Sequence, residues 1–188
     1  MAAAIRARRE RRQNTKLSSP VSPRRPAGNL LSSSSSQSGP FSGHGKKITP
    51  DAVQKAYGRG HRDFSLQPLS RLNLQRMTLS GASFAGAQLS DCNLQGADLT
   101  NVNLSKADLR QSNLKNAKLT NAYMGEANLE NSDLRGANLS RSNLVGANLK
   151  GVNLCGADLT GANLTEDQLA ATKTNWSTIY PNGRRGLR

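Results

Sequence analysis

The side chains best suited to chemistry are basic ones, and they crowd into a short N-terminal segment. Arginine and lysine form charge-assisted hydrogen bonds with carboxylates and phosphates. Residues 1–47 carry ten of them against a single acid, Glu10. The members that we expect to bind a partner are Arg6, Arg8, Arg9, Arg11, Arg12, Lys16, Arg24 and Arg25. The segment therefore predicts an electrostatic contact with an acidic protein or with nucleic acid.

Side chains for catalysis or metal binding are sparse. The chain has two histidines, His44 and His61, and two cysteines, Cys92 and Cys155, and none of them has the spacing of a metal motif. The carboxylates of the central region are scattered singly, and no nucleophile can be placed beside a histidine base. We therefore expect no enzyme activity, no cofactor and no metal site.

The net charge of +14 belongs to the two ends of the chain. Residues 1–47 contribute +9, residues 48–60 contribute +1 and residues 171–188 contribute +4. Residues 61–170 have ten basic and ten acidic side chains and sum to zero. Any strong electrostatic attraction must therefore come from the ends.

Residues 61–170 divide into 22 consecutive blocks of five without an insertion. The fourth place is Leu in 19 blocks, and the exceptions are Phe64, Phe84 and Met124. The second place is usually Ala or another small residue, and the other places are mostly Gly or polar. Because this alternation shifts by one residue at each block boundary, it fits neither an α-helix nor a flat strand.

The chain must therefore turn a corner once per block. Four corners would close a square coil of 20 residues, although spacing alone leaves three- and five-sided coils open. In a square coil every twentieth residue stacks, so we expect a core in which large side chains form inward columns. The core residues that we single out are Phe64, Phe84, Leu104, Met124, Leu114 and Leu134.

Blocks such as GADLT, GANLS and GANLK resemble the A-[DN]-L-x-x unit of pentapeptide repeat proteins, which are numerous in cyanobacteria. The resemblance covers 110 of the 188 residues. It implies an all-β solenoid, a right-handed quadrilateral parallel β-helix, here of about 5.5 coils. The segment AVQKAYGRGHRDF is also similar to the short helix and RDF lead-in that often precede the coils in cyanobacterial members.

The N-terminal end of the solenoid has a predicted cover. Thr49-Pro50-Asp51 is typical of a helix start, because Thr caps the free N–H groups and Pro fits the first turn. We expect a capping helix within residues 49–60 that places Val53 and Tyr57 over the first coil. Residues 1–48 have too little apolar surface to fold alone and predict a basic tail that is disordered or partner-bound.

At the other end, residues 171–188 are expected to form a C-terminal cap with a basic tip. Trp176, Ile179 and Tyr180 are three large apolar residues within five positions, and we expect them to cover the last coil. No stretch approaches the roughly 18 consecutive apolar residues of a membrane-spanning helix.

These features favour a non-catalytic structural or interaction protein, a rigid repeat rod whose basic tail tethers it to an acidic multiprotein assembly. By analogy with the basic linkers of the phycobilisome, the phycobiliprotein antenna of cyanobacteria is a candidate partner. A nucleic-acid-associated protein that binds through the same arm is the alternative, although residues 1–40 lack the aromatic side chains on which single-stranded bases stack.

The compartment that we expect is the cytoplasm of a cyanobacterium. Residues 1–40 are also rich in Arg and Ser, so the alternative is a plastid transit peptide and a protein of the stroma. The sequence leaves open the partner's identity, the face of the rod that makes contact and the oligomeric state.

Overall fold

A computed structural model of the chain describes Phe41 and residues 48–185. From residue 61 to residue 165 the chain winds into stacked coils, in which the third place of a block forms a parallel β-bridge with the residue 20 positions further on, in an unbroken series from Asp63 with Ser83 to Asn143 with Asn163. Each side of a coil contributes one bridging residue rather than a long strand. Since the bridging places are five residues apart, one coil has four sides, and the three- and five-sided alternatives are excluded.

Tight turns form the corners between blocks. The second-place N–H of one block donates to the fourth-place carbonyl of the block before, as from Ala87 to Phe84 at 3.0 Å. The first place has a positive φ at every corner from Leu66 to Gly161, and twelve of these residues are not glycine. A positive φ at this position is the mark of a type II turn, which Gly and Asn adopt with the least strain.

The third-place side chain holds each corner from outside. The Oδ1 atom of Asn113 accepts the N–H of Lys115 at 3.2 Å, and most blocks with Asn or Asp in the third place repeat this contact. This local hydrogen bond accounts for the preference for Asn and Asp there. One of the four third places of the first coil is Pro68, which bridges Gln88. Proline has no N–H, and on this coil that N–H would have no earlier coil to meet.

Second and fourth places point inward and build one continuous core. Phe64, Leu104, Met124 and Leu114 have no exposed surface, and Phe84 and Leu134 are 1% and 2% exposed. Each buried Leu is worth about 1.5–3 kcal/mol relative to an exposed one. The core is narrow because each coil packs only against its neighbours.

Helix α1, Pro50–Gly58, covers the first coil. The Thr49 hydroxyl accepts the N–H of Ala52, as an N-cap residue does. Val53 is fully buried on the core side of the helix. The hydroxyl of Tyr57 donates to the carbonyl of Ser80 at 2.8 Å, which fastens the helix to the coil below.

The expectation of a tail through residue 48 is wrong for two residues. Phe41 and Ile48 pack against the core. The ring of Phe41 stacks on Phe64 at 6.1 Å between centroids, and Phe64 stacks on Phe84 at 5.1 Å. Phe41 therefore extends the inward aromatic column, because the upper face of Phe64 would otherwise lie open at the end of the solenoid.

The last predicted block, residues 166–170, is not a side of the coil. It forms helix α2, Glu166–Ala170. The Thr165 side chain accepts the N–H of Gln168 and the Gln168 side chain accepts the N–H of Thr165, which is a capping box. This local preference overrides the five-residue frame, although Leu169 still occupies a fourth place.

Stacking then resumes beyond the predicted end of the repeats. Lys173 bridges Asn153 with the usual offset, whereas Ile179 bridges Asp158 with an offset of one residue more. Ile179 also forms an antiparallel bridge with Arg185. The chain after α2 therefore adds two imperfect sides to the solenoid.

The expectation for Trp176 is also corrected. Trp176 is 58% exposed and does not cover the last coil. It falls at a corner in register with Cys155, while Thr178 takes the inward place with no exposed surface. The Thr178 hydroxyl donates to the carbonyl of Leu154 at 3.0 Å. Ile179 and Tyr180 are half-buried.

Candidate interaction site

The predicted partner-binding side chains all lie outside the described residues. They are Arg6, Arg8, Arg9, Arg11, Arg12, Lys16, Arg24 and Arg25. Their role stays a prediction, and the site must be approached through the rod and its two ends.

Charged side chains on the rod pair with one another. Arg110 and Arg135 each bond a carboxylate two residues earlier in the chain, Asp108 and Asp133, at 2.8 Å. Three of the other ion pairs join residues 20 positions apart on consecutive coils, as Arg71 does with Asp91. Because most of these groups are well exposed, each pair contributes little to stability. Six of the ten basic side chains of residues 61–170 are paired with a carboxylate in this way.

Two of these carboxyl groups, those of Asp108 and Asp133, favour the ionised form. The hydrogen bond from the Arg110 side chain holds the pKa of Asp108 below its ordinary value of 3.8, although partial burial acts in the opposite direction. Burial also opposes ionisation of Asp133, but hydrogen bonds from Arg135 and the positive charges of Arg135 and Lys115 outweigh it and lower the pKa. These carboxylates are therefore poor candidates for general acids at neutral pH.

The two thiols have different surroundings. Cys92 is buried, and burial raises the pKa of its thiol to about 11. Its Sγ donates to the carbonyl of Leu69 at 3.0 Å. Cys155 is half-buried at a corner and, like Cys92, is a free thiol. Across the described residues, no cluster of three His, Cys, Asp or Glu side chains is placed to hold a metal ion.

A hollow of about 630 Å³ opens at the C-terminal end of the solenoid. Its lining includes the apolar residues Leu164 and Leu169 and the hydroxyl-bearing residues Thr172, Thr174 and Tyr180. The volume falls within the usual range of binding pockets. The hollow is the unfinished end of the inward core, because the residue expected to close it, Trp176, points outward.

One side of this last coil is closed by a side chain. The Nε2 atom of Gln168 donates to the backbone carbonyls of Leu144 and Ala147, both at 2.8 Å. On earlier coils, carbonyls like that of Ala147 accept an N–H from the next coil. Gln168 thus replaces a missing rung. The spacing Thr165-x-x-Gln168, a capping-box signature, was the signal in the sequence that could have located it.

Comparison with known proteins identifies relatives of this chain. A family model described as a pentapeptide repeat region matches residues 87–164. A pentapeptide repeat protein from the thylakoid lumen of Arabidopsis thaliana is 34% identical over 58% of this chain and 69% of that chain, with a TM-score of 0.40. The chain belongs to the pentapeptide repeat family.

Two cyanobacterial pentapeptide repeat proteins are also similar to this chain. Rfr23 from Cyanothece is 29% identical and a protein from Nostoc is 27% identical, each over 68% of this chain and 96% of that chain, with TM-scores of 0.34. No curated protein sequence matches the chain.

Pentapeptide repeat proteins fold as right-handed quadrilateral β-helices, and they are generally non-catalytic. The four-sided coils of this pentapeptide repeat protein have that architecture. Within the described residues, no helix has the length and apolar character needed to cross a membrane.

Proposed function

We propose that the protein is a non-catalytic interaction protein, a rigid rod whose basic N-terminal arm tethers it to an acidic multiprotein assembly. The rod of about 5.5 coils, covered by α1 at its first coil, supplies the stiff body. One observation carries the proposal: residues 1–47 have a net charge of +9, whereas residues 61–170 have none.

The ion pairs of the rod support this division of labour. Side chains such as Arg110 and Arg135 already bond carboxylates of the rod, so binding an acidic partner would require those contacts to be exchanged. The arm has ten basic residues and only Glu10 to offset them. An acidic surface would therefore attract the arm first, and the attraction would raise the rate of association.

The partner class that fits is a protein assembly with an acidic surface, and a phycobiliprotein light-harvesting complex is one candidate. In that case the protein acts as a linker in the cytoplasm of a cyanobacterium. If residues 1–40 are instead a transit peptide, the mature protein works in the plastid stroma without the arm. The N-terminal sequence of the protein purified from its own cells separates these two cases.

The deciding experiment deletes residues 1–40 and stops before Phe41, because Phe41 packs on the core and its loss would also destabilise the rod. The truncated protein, residues 41–188, should no longer co-sediment with the assembly. Its circular dichroism spectrum should show that the rod is folded as in the intact protein. A truncated rod that still co-sediments at physiological salt would refute the tether.

Two full-length variants that differ only in the charge of the arm separate the effect of charge from the effect of length. Replacing Arg6, Arg8, Arg9, Arg11 and Arg12 with Gln should release the protein, whereas replacing them with Lys should retain most of the binding because the charge is kept. Equal binding by the Gln and Lys variants would show that charge is not the cause.

The same arm supports nucleic-acid binding as the second candidate. A basic arm that neutralises several phosphates gives an affinity that falls steeply with salt. Intact protein should then shift DNA or RNA in a gel at low salt, and the protein without residues 1–40 should not. The absence of any shift at low salt would remove this candidate.

A further inference from the structure

The C-terminal end of the rod has one open backbone edge. On the side that carries Asn163, the coil before the last is paired with it: Leu144 N–H donates to the Asn163 carbonyl at 2.8 Å, and Asn163 N–H donates to the Ser142 carbonyl at 2.9 Å. In the described part of the chain no residue stacks on Asn163 from the other direction. There the N–H of Leu164 and the carbonyl of Ala162 form no hydrogen bond.

The described residues do not close this edge. In the register set by Ile179 over Asp158, Arg184 would lie over Asn163, but its N–H donates to the Oδ1 atom of Asn182 at 2.9 Å and its carbonyl accepts the N–H of Tyr180 at 2.8 Å. The neighbouring side is closed by the side chain of Gln168. The edge at residues 162–164 thus keeps one donor and one acceptor in the register of a parallel rung, which is a template for an added strand.

The hollow described above lies directly beside this edge, since Leu164 belongs to both. Its apolar walls are Leu164 and Leu169, and among its lining residues Glu166 is the only charged one. An occupant that fits all three features has an extended backbone, an apolar side chain and a positive charge.

We propose that the edge and the hollow together bind an extended peptide segment of a partner protein as one more parallel rung. The peptide residue over Asn163 donates its N–H to Ala162 and accepts the N–H of Leu164. The next side chain enters the hollow above Leu164, and a basic residue after it lies beside Glu166. The motif is therefore any residue except proline, then an apolar residue, then Lys or Arg.

A second copy of the chain fits this site less well. A two-fold, end-to-end contact would bring Glu166 and Asp167 of one copy towards the same acidic turn of the other copy. A basic peptide removes that repulsion. The inference involves no residue of the N-terminal arm, so the loss of tethering and the loss of this site are separate results.

The chain supplies its own probe. Residues 146–151, GANLKG, contain the motif as Asn148, Leu149 and Lys150. The capped hexapeptide should be titrated into the full-length ¹⁵N-labelled protein and followed by NMR. We expect saturable shifts of the Leu164 and Glu166 amides and slower hydrogen exchange of the Leu164 N–H.

Changes in the peptide do not alter the protein, so a loss of binding cannot be caused by unfolding of the protein. Proline in place of the peptide's Asn removes the N–H that Ala162 accepts, and Asp in place of its Leu puts a charge into the hollow. Both peptides should bind at least tenfold more weakly. In the protein, Glu166→Gln should weaken binding of the parent peptide about threefold.

Three results would overturn the proposal. The first is an absence of shifts at Leu164 and Glu166 at millimolar peptide. The second is equal binding of the proline peptide, which would mean that the backbone rung does not form. The third is protection of the Leu164 N–H without peptide that increases with protein concentration, because a second copy would then occupy the edge.

Discussion

The carboxamide oxygen of Asn116 occupies the space that a Cβ atom on Gly136 would need. The two residues stack on consecutive coils at the same corner. Gly136 has a φ of +66°, so it is constrained both by its backbone conformation and by its neighbour.

Replacing Gly136 with Ala should destabilise the rod for both reasons. Gly81 is a matched control, since its φ is +67° and no atom lies within 4 Å of its added Cβ. Gly81→Ala should cost about 1 kcal/mol from backbone strain alone, and Gly136→Ala up to about 1 kcal/mol more, because the Asn116 side chain must also move away. Chemical denaturation measures both. The added cost should vanish in an Asn116→Gly background, and equal costs for the two Ala variants would contradict the steric account.

Gln168→Ala should lower the free energy of unfolding by about 1–2 kcal/mol, because the Ala147 carbonyl and the Thr165 N–H lose their partner and the Leu144 carbonyl keeps only the N–H of Ala147. Gln88→Ala is the control, as this exposed glutamine makes no side-chain hydrogen bond within the described residues. Hydrogen exchange should locate the loss in the last coil. If exchange speeds up evenly along the rod, Gln168 is not a local cap.

The inward serines differ in whether their hydroxyls are bonded. Ser112 Oγ donates to the Leu109 carbonyl at 2.6 Å. Ser132 and Ser142 have no partner for their buried Oγ atoms. Ser132→Ala and Ser142→Ala should therefore stabilise the protein or leave it unchanged, whereas Ser112→Ala should cost about 1 kcal/mol. Thermal unfolding in parallel tests this, and an equal loss in all three variants would disprove it.

The thiols should react at very different rates. The raised pKa of Cys92, about 11, and its burial keep it protonated and inaccessible at pH 8. Half-buried Cys155 should account for the single fast-reacting thiol in a colorimetric assay of the folded protein. Cys155→Ser should abolish the fast phase, and Cys92→Ser should leave it intact. A fast phase that survives Cys155→Ser would show that the core opens.

Asp108 should contribute to acid sensitivity. Its pKa is lowered in the folded state, so its stabilising effect is complete above its ordinary value of 3.8 and is lost as the pH falls through the lower, folded value. Asp108→Asn should flatten the dependence of stability on pH below about 4, by less than 1 kcal/mol because the pair is exposed. An unchanged slope would indicate that other carboxylates dominate.

The sequence predicted the body of the rod because the five-residue period of the sequence equals the length of one side of the coil. Every side of the coil needs Leu in the fourth place and a small residue in the second place, so every block has the same residue pattern. The three- and five-sided alternatives remained open because the period records only the side length, and the 20-residue register of the bridges decided between them.

The ends were predicted less well, for identifiable reasons. Block 166–170 has Leu169 in the fourth place, so the five-residue pattern predicted another side of the coil where Thr165 and Gln168 begin a helix. Trp176 was misplaced because its size, and not the five-residue frame, suggested an inward position. In the frame residue 176 is a first place, and the extra residue between Lys173 and Ile179 moves it to a fifth place, so it lies at a corner in either register. Phe41 was missed because it follows a long polar segment, although it is the one aromatic residue there.

Pro68 gives the rod a direction. A coil stacked in front of the first one would find no N–H at that place, whereas the edge at Asn163 offers both halves of a backbone pair. We therefore expect further coils to add at the C-terminal end of the rod and not at the N-terminal end. Engineered extensions of 20-residue cassettes should be appended after residue 165, and chimaeras joined ahead of residue 61 should remain separate folding units.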